Sequence, residues 1–279
     1  MTEASEFQAF GAFAPSPIQT LARRAGARLG NDGPGRKMAS LLLRLAGGKS
    51  GRAFDVTIFG GERARLHPYD NISEKRVFIT PQFWEAEERA LLAAQIAAGS
   101  GDFWFLDVGA NAGLYTLFAH SCAKAAGRAF RALCVEPSEA MRERLAFNNE
   151  ASGTSSDVQI FPYAAGERDG VAAFQVNAAN RGESRLLAGG LEEVTVRPLS
   201  NIIDEARALQ IDALKIDIEG GEEAALRGLF AAPGERYRPS LIIVELSHAP
   251  QEAPILSLLA GERYREILRT KRNAVFARV

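Results

Sequence analysis

Phe103-Trp104-Phe105-Leu106-Asp107-Val108-Gly109-Ala110-Asn111-Ala112-Gly113-Leu114-Tyr115 runs as an apolar strand that stops at an acid and breaks into a turn of small residues. A helix over roughly Leu114 to Ala126 follows. Gly109 and Gly113 permit backbone angles and close approaches that a side chain would forbid. The first N–H groups of the helix then point at whatever lies over the turn, as in nucleotide-type binding loops.

Outward from this turn the chain alternates strand and helix patterns. A helix over Phe83 to Ala98 carries Glu85, Glu87 and Glu88 in its early turns, where the helix dipole favours acids. Strand one is Phe103 to Val108, strand two Ala129 to Glu136, and strand three Val158 to Tyr163, with a helix over Ser138 to Asn149 between the last two. An inserted hairpin pairs Val171 to Val176 with Val194 to Arg197. Then come a helix over Leu199 to Leu209, strand four (Ala213 to Asp217), a helix over Glu222 to Leu229, strand five (Leu241 to Leu246) and a final helix. The end, Tyr264 to Arg269 and Asn273 to Val279 around Lys271-Arg272, reads as a β-hairpin. Such alternation predicts an α/β fold with a mainly parallel sheet covered by helices on both faces, and the closing hairpin adds one antiparallel strand.

The first 75 residues read as an extension to this domain, which occupies 76–279. Leu21 to Arg52 holds eight basic residues (Arg23, Arg24, Arg28, Arg36, Lys37, Arg44, Lys49, Arg52) against one acid, Asp32. Met38 to Ala46 reads as a short amphipathic helix and Phe54 to Leu66 as a hairpin turning at Gly60-Gly61. This charge suits contact with anionic lipid or a phosphorylated substrate, or a merely solvated face. For the whole chain the formal net charge is −1, which points to no nucleic-acid partner. Cys122 and Cys134 read as small core residues, and a reducing cytoplasm fits them. The acidic start, Met1 to Glu6, has no basic segment followed by an apolar run, and no stretch is apolar enough to span a membrane. No oligomeric state is legible.

In a parallel sheet of this kind the ligand lies beyond the carboxyl ends of the strands. The turn reads D-x-G-x-N-x-G, with Asn111 where a dinucleotide-binding loop has its middle glycine and with no third glycine. It therefore favours S-adenosylmethionine over NAD. Glu136, ending strand two, can accept both hydroxyls of a ribose with its two oxygens, or cap the helix that follows. Ala164, in Tyr163-Ala164-Ala165, leaves room for an adenine ring. Strand four, Leu214-Lys215-Ile216-Asp217-Ile218-Glu219-Gly220-Gly221-Glu222, places Asp217 and Glu219 on one side if its alternation continues. Gly220 and Gly221 allow a sharp exit, and Glu222 suits the start of the next helix. Glu245 and His248 lie on the same rim, whereas His67 and His120 read as structural.

These motifs, namely the D-V-G-A-N-x-G loop, Val135-Glu136-Pro137-Ser138, Lys215-Ile216-Asp217-Ile218-Glu219-Gly220 with Glu222, and Ile243-Val244-Glu245, make the chain resemble FkbM-type S-adenosylmethionine-dependent methyltransferases over about residues 76 to 279. The resemblance implies a Rossmann-like class I methyltransferase fold, with Asp107, Gly109, Asn111 and Gly113 around the methionine portion of S-adenosylmethionine and Glu136 at its ribose. It also implies O-methylation of a hydroxyl on a sugar, glycolipid or secondary metabolite, so the expected partner is a small-molecule or glycan acceptor. Asp217, Glu219 and His248 are the candidate catalytic groups. The acceptor's proton can go to Asp217 or His248, or its pKa can be lowered by Mg²⁺ on Asp217, Glu219 and Glu245; base catalysis without metal is the favoured reading. A nicotinamide-dependent oxidoreductase would need the missing glycine, and a non-catalytic S-adenosylmethionine-binding module would show damage in the loop or the acids.

Overall fold

The computed structural model describes residues 8–175, 177, 185–186, 192–248 and 251–279. Met1 to Glu6 and Val176, used in the sequence reading, lie outside them. Two capped helices open the extension. In α1 (Pro17–Gly26), Ser16 and Gln19 form a reciprocal capping box and Pro17 occupies the first turn. α2 (Gly33–Leu45) begins before the expected Met38, because Asp32 accepts the Gly35 N–H at 2.6 Å and Pro34 sits in its first turn. The hairpin of β1 (Phe54–Ile58) and β2 (Glu62–Leu66) forms as expected.

Next comes a helix the sequence reading lacked, α3 (Ile72–Ile79), whose cap Asn71 accepts from the N–H groups of Ser73 and Glu74. α1 is tied to it closely: Arg23 Nε donates to the Phe78 carbonyl at 3.0 Å, and a Cβ on Gly26 would lie 2.3 Å from the Ile79 carbonyl oxygen. α4 (Ala86–Ala98) starts later than Phe83, because Glu85 takes a left-handed φ of 42° and breaks the helix there.

The core elements follow in chain order: β3 (Phe103–Val108), α5 (Leu114–Ala125), β4 (Phe130–Val135), α6 (Glu139–Ser152), β5 (Val158–Phe161), β6 (Ala164–Ala165), β7 (Gly170–Gln175), β8 (Arg185–Leu186), β9 (Glu192–Arg197), α7 (Leu199–Glu205), β10 (Ala213–Ile216), α8 (Glu222–Phe230), β11 (Leu241–Glu245), α9 (Ala253–Gly261), β12 (Tyr264–Arg269) and β13 (Asn273–Arg278). The main sheet has seven strands ordered β12-β13-β11-β10-β3-β4-β5. Its strands β5, β4, β3, β10 and β11 are parallel, and β13 alone runs against them. This is the Rossmann-like α/β sheet with the single reversed strand expected from the closing hairpin. The insertion is larger than the predicted hairpin: β7 pairs antiparallel with β9 as expected, but β6 and β8 join them in a four-stranded sheet. Strand three accordingly ends at Phe161, and Ala164 belongs to the second sheet.

Side-chain alternation divides the interior in two. Phe103, Phe105, Ala132, Cys134, Ala213 and Ile243 pack on one face with Leu92 and Ile96 of α4 and Leu117 of α5. Leu106, Val108, Leu133, Leu214, Ile216 and Ile242 pack on the other with α7, α8 and α9. Val77 and Phe78 of α3 and Phe54 of the hairpin join the first cluster, so the extension seats on the α4/α5 face. Phe103 and Phe105 are fully buried there, each contributing about 2–3 kcal/mol by leaving water. Asp107, Lys215 and Glu245 share that strand parity, so their side chains emerge on the side where the extension sits.

Candidate functional site

At the end of β3 the backbone folds under itself. Gly109 and Ala110 both donate to the Val135 carbonyl, and Gly113 donates to that of Ala110. Gly109 has φ 74°, and a Cβ there would lie 1.9 Å from the Asp217 carbonyl oxygen; the glycine is needed because the end of β10 presses against the turn. Gly113, at φ 80°, would meet Leu145 of α6 at 2.4 Å. Gly113 also caps α5 without any side-chain hydrogen bond, leaving the helix's first N–H groups uncovered by a cap. Asn111 takes φ 53°, and its Oδ1 accepts from Ala112 N–H and from Asn71 Nδ2, each at 2.7 Å. The cap of α3 thereby holds the loop. Asp107 is 2% exposed and accepts from Thr116 Oγ1 at 2.7 Å. Burial dominates its environment and pushes its pKa up to about 6.

Gly109 and Asn111 line a cleft whose other wall is formed by Asp217 and Glu219 beyond β10. Lys215, in register with Asp107 on the neighbouring strand, is 2% exposed. Its Nζ donates to Asp217 Oδ2 at 3.1 Å and stands 5.3 Å from the ring centroid of Tyr115. Burial opposes the charge on Lys215, but Asp217 and Glu85 outweigh it and raise the ammonium's pKa. For Asp217, likewise, burial works against ionisation while Lys215 holds the carboxyl below its usual range. Glu245 lies on the far side of this pair. Burial first, and then the charge of Asp217, push it up to about 7, whereas Asp217 is held ionised by Lys215.

β10 ends at Ile216, so the strand alternation that was to place Asp217 and Glu219 on one side stops short of them. Glu219 instead adopts φ 58°, and Gly220, at φ 111°, completes the sharp exit. Glu222 holds this turn: its carboxylate accepts from the N–H groups of Ile218 and Gly220 at 3.0 Å, which is a more specific duty than complementing the dipole of α8. Thus positioned, Glu219 Oε2 lies 2.5 Å from His248 Nδ1. Glu245 Oε2 lies 3.3 Å from the same nitrogen, while Glu245 Oε1 accepts from Ser247. Partial burial opposes charging of His248, and Arg272 pulls the same way, but the hydrogen bond to Glu245 and the charge of Glu219 prevail and raise its pKa. Glu219, Glu245 and His248 each offer a ligand atom within 4.8 Å of the others, whereas Asp217 of the expected metal set is engaged by Lys215.

Of the residues expected at the site, Gly113, Glu136, Ala164, Glu245 and His248 lie outside this cleft's lining. Glu136 is buried at the end of β4; one of its oxygens accepts the Asn111 N–H at 2.8 Å and the other the Ser138 N–H at 2.9 Å. It therefore holds the backbone just ahead of α6, whose cap is Ser138, and anchors the loop, and each carboxylate oxygen retains a lone pair for a further donor. Burial outweighs these hydrogen bonds and pushes its pKa up to about 7. His67 and His120 are occupied structurally, against Glu74 at 3.3 Å and Glu62 at 3.0 Å. Cys122 and Cys134 are free thiols, half-buried and buried.

Several cleft residues escaped the sequence reading. Glu85 accepts from Tyr115 Oη at 2.6 Å, and burial, ahead of the opposing Lys215, raises its pKa. Trp84 packs edge-on against Tyr115 at 5.0 Å between ring centroids. Arg272, in the turn between β12 and β13, closes the far side of the cleft. The acids Glu85, Glu87 and Glu88 read locally only as the early turns of a helix, so Glu85, like Asn71, Trp84 and Arg272, arrives in the cleft through long-range packing.

Residues 107–274, more than half of the chain, match the family model for the methyltransferase FkbM domain. An antimetabolite synthetase, AmbE of Pseudomonas aeruginosa, is 28% identical over 177 residues, which cover 50% of this chain and 8% of that protein. The structure of an FkbM methyltransferase from Methylobacillus flagellatus KT aligns with TM-score 0.49 at 18% identity, covering 93% of this chain and 58% of the other. The precorrin-6y C5,15-methyltransferase of Geobacter metallireducens GS-15 aligns with TM-score 0.41 at 12% identity, covering 70% and 87% of the two chains. The chain thus spans a small part of AmbE and somewhat over half of the first of these structures.

Proposed function

The chain belongs to the FkbM methyltransferase family, and we propose that it transfers the methyl group of S-adenosylmethionine to a hydroxyl oxygen of a sugar, glycolipid or secondary metabolite. The chemistry of the cleft fits that cofactor. Glu85, Asp107, Asp217 and Glu219 line it against the cations Lys215 and Arg272, an acid-rich set suited to a ligand bearing a sulfonium and an ammonium. Asn111 and the uncapped start of α5 offer polar groups beside them, and Glu136 stands behind the loop with lone pairs for ribose hydroxyls. When bound, S-adenosylmethionine supplies an electrophilic methyl group.

The observation that carries the reading is the pairing of His248 with Glu219, the member of the pair that lines the cleft. With Nδ1 held by Glu219 at 2.5 Å, the imidazole is fixed in the tautomer whose Nε2 carries the lone pair. Nε2 takes the hydroxyl proton as the oxygen attacks, and the adjacent carboxylates stabilise the imidazolium that forms. Asp217 suits this step less well, since Lys215 stabilises its ionised form and lowers its basicity. Its pairing keeps a negative charge at the wall of the cleft.

Calorimetric titration with S-adenosylmethionine, S-adenosylhomocysteine and NAD, followed by incubation of methyl-labelled S-adenosylmethionine with hydroxylated glycans, glycolipids and small metabolites, tests the proposal. The expected result is binding of the first two ligands and label recovered as a methyl ether. Binding of NAD alone, or label found on nitrogen or carbon, overturns it.

A further inference from the structure

α1 and α2 pack on each other and both rest on α3, so their remaining faces turn away from the core. Those faces are not polar. Ile18 and Leu21 of α1 are 73% and 68% exposed, and Met38, Leu41 and Leu45 of α2 are 45%, 50% and 53% exposed. Half of the large apolar side chains exposed among the described residues therefore lie on these two helices. On α2 the three follow i, i+3, i+7 spacing and form one stripe, which leaves Leu43 to face the interior. Lys37 and Arg44 stand beside that stripe, four residues before and three after Leu41. Arg24, Arg28, Arg36 and Lys49 are exposed around it, and Asp32, which caps α2, is the one acid between Leu21 and Arg52. Arg23 takes no part, because it points inward to Phe78.

An apolar stripe bordered by cations and nearly free of acids is complementary to a surface that is anionic at its face and apolar beneath. We propose that the α1–α2 pair docks this protein on the surface of an anionic lipid bilayer, with Ile18, Leu21, Met38, Leu41 and Leu45 entering the headgroup boundary and the surrounding Lys and Arg side chains meeting lipid phosphates. No helix among the described residues is long and apolar enough to cross a membrane; the proposed attachment is by these surface helices alone. The docking helix is joined to the cleft only through α3: Ala39, Ser40 and Leu43 of α2 line a groove with Lys75 and Arg76 of α3, and residues 71–73 at the start of α3 line the cleft.

The test is co-sedimentation of the full chain with vesicles of phosphatidylcholine alone or mixed with phosphatidylglycerol. It is repeated in molar salt, where the Debye length falls to about 3 Å. The wild type should bind the anionic vesicles at least about ten-fold more tightly than the neutral ones and lose most of that preference in salt. Because both leucines are exposed, L41S/L45S should keep the wild-type melting transition while its vesicle affinity falls about ten-fold or more. K37E/R44E should abolish the preference for anionic lipid. Equal binding to both vesicle types, or undiminished binding by L41S/L45S, overturns the proposal. So does a wild-type dimer in sedimentation that L41S/L45S converts to monomer without any vesicle binding, since the face would then belong to a second copy. None of these readouts depends on methyl transfer.

Discussion

Replacing Lys215 by Met removes the one cation buried between Asp107 and Asp217 while roughly preserving volume. Lys215 is 2% exposed, its Nζ is 3.1 Å from Asp217 Oδ2, and Glu85 is a second source of its raised pKa. Breaking such a pair from one side strands an uncompensated charge in a low-dielectric site, at a cost of about 3–5 kcal/mol. At about 2–4 °C per kcal/mol for chains of this order of size, the melting temperature should fall by about 6–20 °C. The pH dependence has a definite sign. Asp217 has a lowered pKa, so its share of the stabilisation is present above the ordinary carboxylate value and lost as pH falls through the lowered one. Lys215 has a raised pKa, so its share is present below the ordinary amine value and lost as pH rises through the raised one. The deficit of K215M is therefore greatest between about pH 4 and 10 and narrows on acidification. Adding Asp217→Asn to K215M should recover part of the loss near neutral pH, and only part, because Glu85 and Asp107 also lose their cation. Differential scanning calorimetry across pH reads all of this. A K215M transition within about 1 °C of wild type, or a double variant no more stable than K215M, would refute the account.

Glu136 must be ionised to accept two ribose hydroxyls, and its pKa is pushed up to about 7. S-adenosylhomocysteine affinity should thus rise with pH through about 7 in the wild type, and E136A should weaken it by about 2–3 kcal/mol in calorimetry; an unchanged dissociation constant removes Glu136 from the site. His248→Ala should slow methyl transfer by about 10²–10⁴-fold with S-adenosylhomocysteine binding intact, and near-normal turnover on the true acceptor counts against the base assignment. The raised pKa of His248 places the rising limb of the wild-type pH–rate profile above the ordinary imidazole value, and Glu219→Gln should move it toward lower pH. If chelator removes wild-type activity and Mg²⁺ restores it, metal-free base catalysis is wrong. Gly109→Ala forces a Cβ to within 1.9 Å of the Asp217 carbonyl at a left-handed φ, and should cost about 2 kcal/mol or more in unfolding experiments along with weakened S-adenosylhomocysteine binding.

The strand-turn-helix at Phe103 to Tyr115, the parallel strands that follow, the single reversed strand and the acids at the strand ends were all legible in the sequence, because each is written in short-range pattern. Alternation marks a strand, Gly109 and Gly113 mark a tight turn, and a parallel sheet with helices on both faces follows from their order. The same local rules failed wherever a side chain's direction is set by a distant neighbour. Strand alternation could not foresee that the chain leaves β10 after Ile216, or that a left-handed Glu219, held by the Glu222 clamp, meets His248 from beyond another strand. Helical periodicity missed α3 and ran α4 through Glu85, because Asn71 gains its meaning from Asn111 and Glu85 from Tyr115. Lys215 looked like one letter of a motif until the register beside Asp107 made it the charge on which Asp217 depends. Arg272 enters the cleft only because β13 closes the sheet. A sequence records which chemistry sits at each strand end, whereas the assembly of sheet and extension decides which of those groups share a proton, a charge or a cleft, since those energies depend on distances that no local pattern encodes.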